Sequence, residues 1–179
     1  EEAWVKEIFT PDEIKEYIQL KSNITPKQKE IVEQNWSDLV EEFKNNLEKD
    51  PSSEAGIILG EKFMDWVNSL YGKKYAHLRT KIFEQGFGEG KGLEDAGLTP
   101  EIVVWIEKAS DAYWKLRIQT ILNNVGTVSS SQSLDTWNNL MDEMYGEENE
   151  RKAVIPALVF QSDDLSLEAK QWLKSVFNL

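Results

Sequence analysis

Seven Trp, five Tyr and seven Phe in 179 residues make the aromatic side chains the part of this sequence best equipped to do chemistry, and the chemistry they offer is recognition of flat apolar molecules. Trp is costly to bury unless its indole N–H finds an acceptor, and its broad faces stack well on planar ligands. Trp36, Trp66, Trp105 and Trp114, with Tyr75, Phe87 and Tyr113, are the candidate ligand-binding residues. Each alone also fits an ordinary core position. As a set they ask for more: Trp105 and Trp114 lie nine positions apart, about 180° around a helix, so the two rings face opposite sides. The expectation is that Trp105, Tyr113 and Trp114 lie nearest the ligand.

Other chemistry is poorly supported. With no Cys and a single His, the chain has no thiolate zinc site, no disulfide and no Cys nucleophile, and no metal or cofactor site is expected. His77, between Ala76 and Leu78, has no Ser or Cys nucleophile motif beside it and reads as an ordinary helix residue. Acidic residues are abundant, but most belong on solvated faces, and a carboxylate active site is not expected. Gly86, Gly88, Gly90 and Gly92 alternate in a loop that lacks the Gly-Lys-Ser/Thr of a phosphate-binding loop and the preceding strand of a dinucleotide fold. It reads as a hinge or lid. A net charge of −12 with scattered Lys and Arg argues against nucleic-acid contact by this segment. No apolar run reaches the length of a bilayer span, and the lack of Cys fits a reducing, cytoplasmic setting. A start at Glu1 rather than Met is compatible with a piece of a longer chain.

The elements that must position these residues are helices. Thr10-Pro11, Thr25-Pro26 and Thr99-Pro100 each place a capping hydroxyl before a Pro suited to the first helical position, and Asp50-Pro51 follows the same pattern with Asp as cap. From these starts helices are expected at about 10–22, 26–48, 51–71, 73–85, 100–124, 134–145, 148–161 and 166–178. Pro156 should start or kink its helix. Val32, Trp36, Leu39, Val40, Phe43 and Leu47 recur at spacings of three and four, and no segment alternates as a strand would. The class is therefore all-α. The Ser-rich stretch 126–133 reads as a linker between a main domain, 1–125, and a C-terminal part, 134–179. WSDLVEEF at 36–43 aligns with WNNLMDEM at 137–144, and WVNSLY at 66–71 with WLKSVF at 172–177, so the C-terminal part reads as an incomplete second copy.

The order Trp36-x-x-Leu39-Val40-x-Glu42, then Asp50-Pro51-Ser52-Ser53, a helix bearing Trp66, and Gly97-Leu98-Thr99-Pro100-Glu101 opening a long helix resembles the TipAS-type antibiotic-recognition domains. These include effector domains of MerR-like regulators and stand-alone albicidin-binding proteins. The likeness covers about 9–124 well and 134 onward in part. It implies a globin-like helical fold around a ligand tunnel, an N-terminal segment (1–25) that forms a helix or lid around the drug, and non-catalytic binding of a bulky aromatic antibiotic. The lack of Cys departs from the thiostrepton-binding type and removes covalent capture. Two roles follow, sensor of a transcription regulator or sequestering resistance protein, and a homodimer stays open. The competing expectation is a helical protein–protein interaction domain with an exposed aromatic face.

Overall fold

Thr10 and Thr25 each close a reciprocal capping box. Their hydroxyls accept from the backbone N–H of Glu13 and Gln28, whose side chains in turn accept from the Thr10 and Thr25 N–H groups. These start α2 (Pro11–Ser22) and α3 (Pro26–Asn46), each with Pro at its first turn. The hydroxyl of Thr99 likewise accepts from Ile102 N–H at the start of α7 (Pro100–Asn123). The computed structural model describes residues 3–147 and 149–179. Among them the regular elements are helices joined by turns and loops, the one strand-like feature being an isolated bridge between Val125 and Val128.

The remaining elements are α1 (Val5–Ile8), α4 (Glu54–Tyr71), α5 (Ala76–Lys81), α6 (Leu93–Ala96), α8 (Ser130–Tyr145), α9 (Arg151–Phe160) and α10 (Leu167–Phe177). Besides the short α1 and α6 and a later start for α9, three boundaries differ from the sequence expectation for reasons the local bonds show. Asp50 does not cap α4: its carboxylate accepts from Ser52 N–H in the preceding turn, and Ser53 caps the helix by accepting from Gly56 N–H. The helix expected over 73–85 starts at Ala76 and widens into a π-helical turn, Ile82–Gly86, followed by a 3-10 turn, Phe87–Glu89. The Ser-rich stretch turns helical at Ser130, because Ser129 and Gln132 form another capping box. Pro156 lies inside α9.

The described residues divide into two compact units at the Tyr113–Trp114 step, inside α7 rather than in 126–133. In the first unit Phe43, Val67, Leu78, Ile102 and Ile106 are fully or almost fully buried. Phe43 packs its ring 6.1 Å from both Phe63 and Trp105. Gly60 is the close approach between α4 and α7: a Cβ there would stand 2.5 Å from the Ala109 carbonyl oxygen. A second apolar cluster joins Val5, Ile8, Phe9 and Leu20 to Tyr75, Leu78 and Ile82, so α1 and α2 are packed onto α5 and its π turn. The Lys81–Glu13 ion pair at 2.6 Å and a polar contact between His77 and Glu16 at 2.9 Å reinforce that packing.

The second unit is built around Trp137, Leu140, Met141 and Leu173, all 2% exposed or less. Trp137, Trp172 and Phe177 form a ring cluster with centroids 5.5 to 6.2 Å apart. Trp172 donates its indole N–H to the Ser130 hydroxyl at 3.1 Å. Arg117 to Glu143 and Lys152 to Asp142 tie α7 and α9 to α8.

Candidate functional site

The first unit holds a cleft of about 620 Å³, walled by α3, α4, the π and 3-10 turns and the segment around Trp4. That volume lies in the range of small-molecule sites. Trp36 sits on α3 and Trp66 on α4, and their rings meet at 4.7 Å with 35° between planes. Neither indole has a polar cost left to settle, because Trp36 donates to Ala96 O at 2.9 Å and Trp66 to Val32 O at 3.1 Å. Those two bonds fix the ring planes and tie α3 to α6 and α4 to α3.

From this pair the rings continue without a break. Trp36 lies 6.2 Å from Phe63, and Phe63 4.9 Å from Phe83. Phe83 meets Phe87 edge to face at 5.2 Å, and Phe87 lies 5.8 Å from Trp4. Phe63 is buried behind the wall, while Trp4, Trp36, Trp66, Phe83 and Phe87 are half-buried and line the cleft. Tyr17 and Tyr71 add two more rings, and Val32, Val40, Leu70 and Ile82 fill the gaps. The π turn has a direct consequence here. It brings Phe83 and Phe87 edge to face, with Phe83 against the Phe63 ring and Phe87 against Trp4.

Two glycines of the alternating loop are explained by Trp4. A Cβ on Gly86 would stand 2.5 Å from Trp4 Cζ3, and one on Gly92 2.5 Å from Cε2, so both positions leave the ring its place. Gly92 also has φ +68°, which only Gly adopts readily. The Trp4 indole N–H is buried without a hydrogen-bond partner among the described residues, an arrangement that costs about 1–3 kcal/mol.

Charge around the cleft is mixed. Lys21 and Lys44 stand with Glu33, Glu41, Glu94 and Asp95, and Arg79 brings a buried guanidinium that donates to Asn68 Oδ1 at 2.8 Å. Below this region, burial pushes the Glu13 carboxyl up. The Lys81 ammonium, with the Thr10 N–H and hydroxyl, outweighs that burial and holds Glu13 below the ordinary glutamate range.

Of the residues expected to bind ligand, the cleft brings together Trp36, Trp66 and Phe87. Tyr75, Trp105, Tyr113 and Trp114 lie outside its lining. Tyr75 belongs to the cluster under α1 and α2. Trp105 is 5% exposed and gives its N–H to Lys49 O at 2.9 Å, a core position. Tyr113 is buried at the end of the first unit, and Trp114 is buried in the second, with the Arg117 guanidinium 5.4 Å over its ring. The cleft is also lined by Trp4, Tyr17, Tyr71 and Phe83, which are not among the residues expected from the sequence. Phe83 and Phe87 are four residues apart, a spacing that marks one helical face, and that signal was available. Trp4 carried none beyond its residue type.

His77 faces Glu16 on the surface of the first unit and does not line the cleft. Among the described residues no three His, Asp or Glu side chains converge as a metal-binding group, and no helix is long and apolar enough to cross a membrane. No family model, no curated protein and no solved structure matches the chain.

Proposed function

We propose that the protein binds a bulky, planar aromatic antibiotic or similar drug in the cleft of its first unit, without chemical turnover, as TipAS-type recognition domains do. The observation that carries this reading is the aromatic wall itself, with the Trp36–Trp66 pair at one end and Phe83, Phe87 and Trp4 at the other. A ligand that buries about 300 Å² of apolar surface there gains about 7 kcal/mol, and each good ring contact adds about 0.5–1.5 kcal/mol. Against an association cost of about 4–15 kcal/mol, micromolar binding (about −8 kcal/mol) is reached only when several ring contacts form together. The ion pairs and indole bonds that hold α2, α3 and α4 favour a preformed pocket. A globin-like tunnel, a cytoplasmic location and a role as drug sensor or sequestering protein belong to the same proposal.

Intrinsic Trp fluorescence titrated with albicidin, a thiopeptide and a panel of planar drugs tests it. Saturable quenching with a rise in melting temperature is expected for at least one class. Absence of both across the panel would remove the ligand-binding reading and favour protein docking. That second reading draws on Val154 and Leu158, one turn apart on α9 and 54% and 59% exposed, with Leu167 at 72%.

A further inference from the structure

We propose that the Trp4 indole N–H is a specificity-determining donor of the cleft. It selects planar aromatic ligands that carry a carbonyl or comparable hydrogen-bond acceptor at the end formed by Phe87 and Gly92. This rests on the ligand-binding reading above and adds the polar group that orients the ligand.

Trp36, Trp66, Trp105 and Trp172 each place the indole N–H on an acceptor of the protein, at 2.9 to 3.1 Å. Trp4 differs from these four, lining the cleft with a buried N–H that has no partner among the described residues. A core indole in that state gains by turning toward any acceptor or by giving way to Phe. Here the ring is locked instead. Its benzene edge lies against Gly86 and its pyrrole edge against Gly92, and the neighbouring Val5, Ile8 and Phe9 are buried under α2 and α5. The ring that carries the donor is therefore held in place before any ligand arrives, which limits the entropy lost in orienting it, although the N–H itself is covered.

What stands against the N–H is Gly92. A Cβ at that position would lie 2.6 Å from Trp4 Nε1, and Gly92 is itself part of the cleft wall. It has no side chain to unpack, and contact between donor and ligand requires this loop, with Gly90 and Gly92 both at positive φ, to shift. An acceptor on the ligand then meets a polar group of the aromatic wall that has no partner among the described residues. An apolar ligand of the same shape fills the cleft and leaves the N–H as it is.

The test uses two probes of nearly the same shape, benzanilide, which carries an amide carbonyl, and trans-stilbene, which carries no acceptor. Dissociation constants are measured for the intact protein and for Trp4→Phe, which keeps an aromatic ring and deletes the donor. The expected result is a roughly tenfold loss for benzanilide, the value of one hydrogen bond of ordinary strength, with stilbene changed by about twofold or less. Equal losses for both probes would make Trp4 a packing surface only and overturn the proposal while leaving the cleft reading intact. A gain for both would make Trp4 a plug and overturn it equally. If neither probe binds the intact protein up to its solubility limit, the aromatic-cleft reading fails and this one with it. Should Trp4→Phe not fold, the ¹⁵N-indole spectrum of the intact protein decides. The assigned Trp4 N–H resonance should move downfield with benzanilide and not with stilbene, and an unmoved resonance at benzanilide saturation refutes the donor role.

Discussion

Replacing Gly60 by Ala tests how tightly α4 and α7 are joined in the first unit, and through α4 it tests the placement of Trp66. On propensity alone the change should help, since Ala is better than Gly inside a helix by about 1 kcal/mol. The geometry opposes it. The new methyl would lie 2.5 Å from the Ala109 carbonyl oxygen and 2.9 Å from its carbon, both backbone atoms that cannot rotate away. The helices must separate by about 1 Å to restore ordinary contact, and such overpacking costs about 1–3 kcal/mol or more. The net expectation is a loss of up to about 2 kcal/mol. For a chain of this size that lowers the melting temperature by up to about 8 °C, read by circular dichroism at 222 nm. Because Trp66 sits on α4 six residues on, with its N–H on Val32 O, the same variant should loosen the Trp36–Trp66 pair and weaken drug binding. A Gly60→Ala protein that melts higher than the parent would refute the reasoning, because it would mean the contact between α4 and α7 has slack to spare.

Trp105→Ala should cost about 3–5 kcal/mol of stability, since it empties a buried site beside Phe43 and strands the Lys49 carbonyl, while leaving the affinity of the folded fraction unchanged. Urea melts paired with a drug titration check it, and a large loss of affinity at unchanged stability would return Trp105 to the ligand site. Ser129→Ala removes the capping hydroxyl of α8 and should cost about 1 kcal/mol, seen as earlier unfolding of the second unit by hydrogen exchange. Glu13 has its pKa lowered in the folded state, so its ion pair contributes stability above the ordinary glutamate pKa and loses it as pH falls through the lowered value. Glu13→Gln should therefore melt below the parent at pH 7, with the gap closing below about pH 4, and a gap that persists in acid would refute the ionic origin.

The helices were legible because their signals are local. Thr10, Thr25 and Thr99 each cap the helix that the sequence assigns to them, since the hydroxyl and the N–H it satisfies lie within one turn. Asp50 misled because Asp-Pro opens both helices and turns, and the choice fell to Ser53, three residues on. The stretch at 126–133 hid its capping box inside a Ser run that also fits a linker. The site was harder to read. Trp36 and Trp66 followed from their helical stripes, but whether a ring lines a cleft or fills a core depends on what faces it across the fold. Trp105 and Trp36 show the difficulty: both are helix residues in apolar stripes, both donate to a distant carbonyl, and only Trp36 borders the cleft. Trp4 lay beyond sequence reasoning because its place is set by two glycines more than 80 positions away.

The central claim, that an aromatic drug occupies the wall built on Trp36 and Trp66, is tested most directly by titrating the double variant Trp36→Phe, Trp66→Phe beside the parent protein. Phe keeps a ring at each position but removes the two indole bonds and the broad paired face. With the ligand that binds the parent tightest, affinity should fall at least tenfold, and drug-dependent quenching should shrink, while the helical signal of the free protein is retained. Unchanged affinity and unchanged quenching in a folded double variant would place the ligand elsewhere and contradict the account.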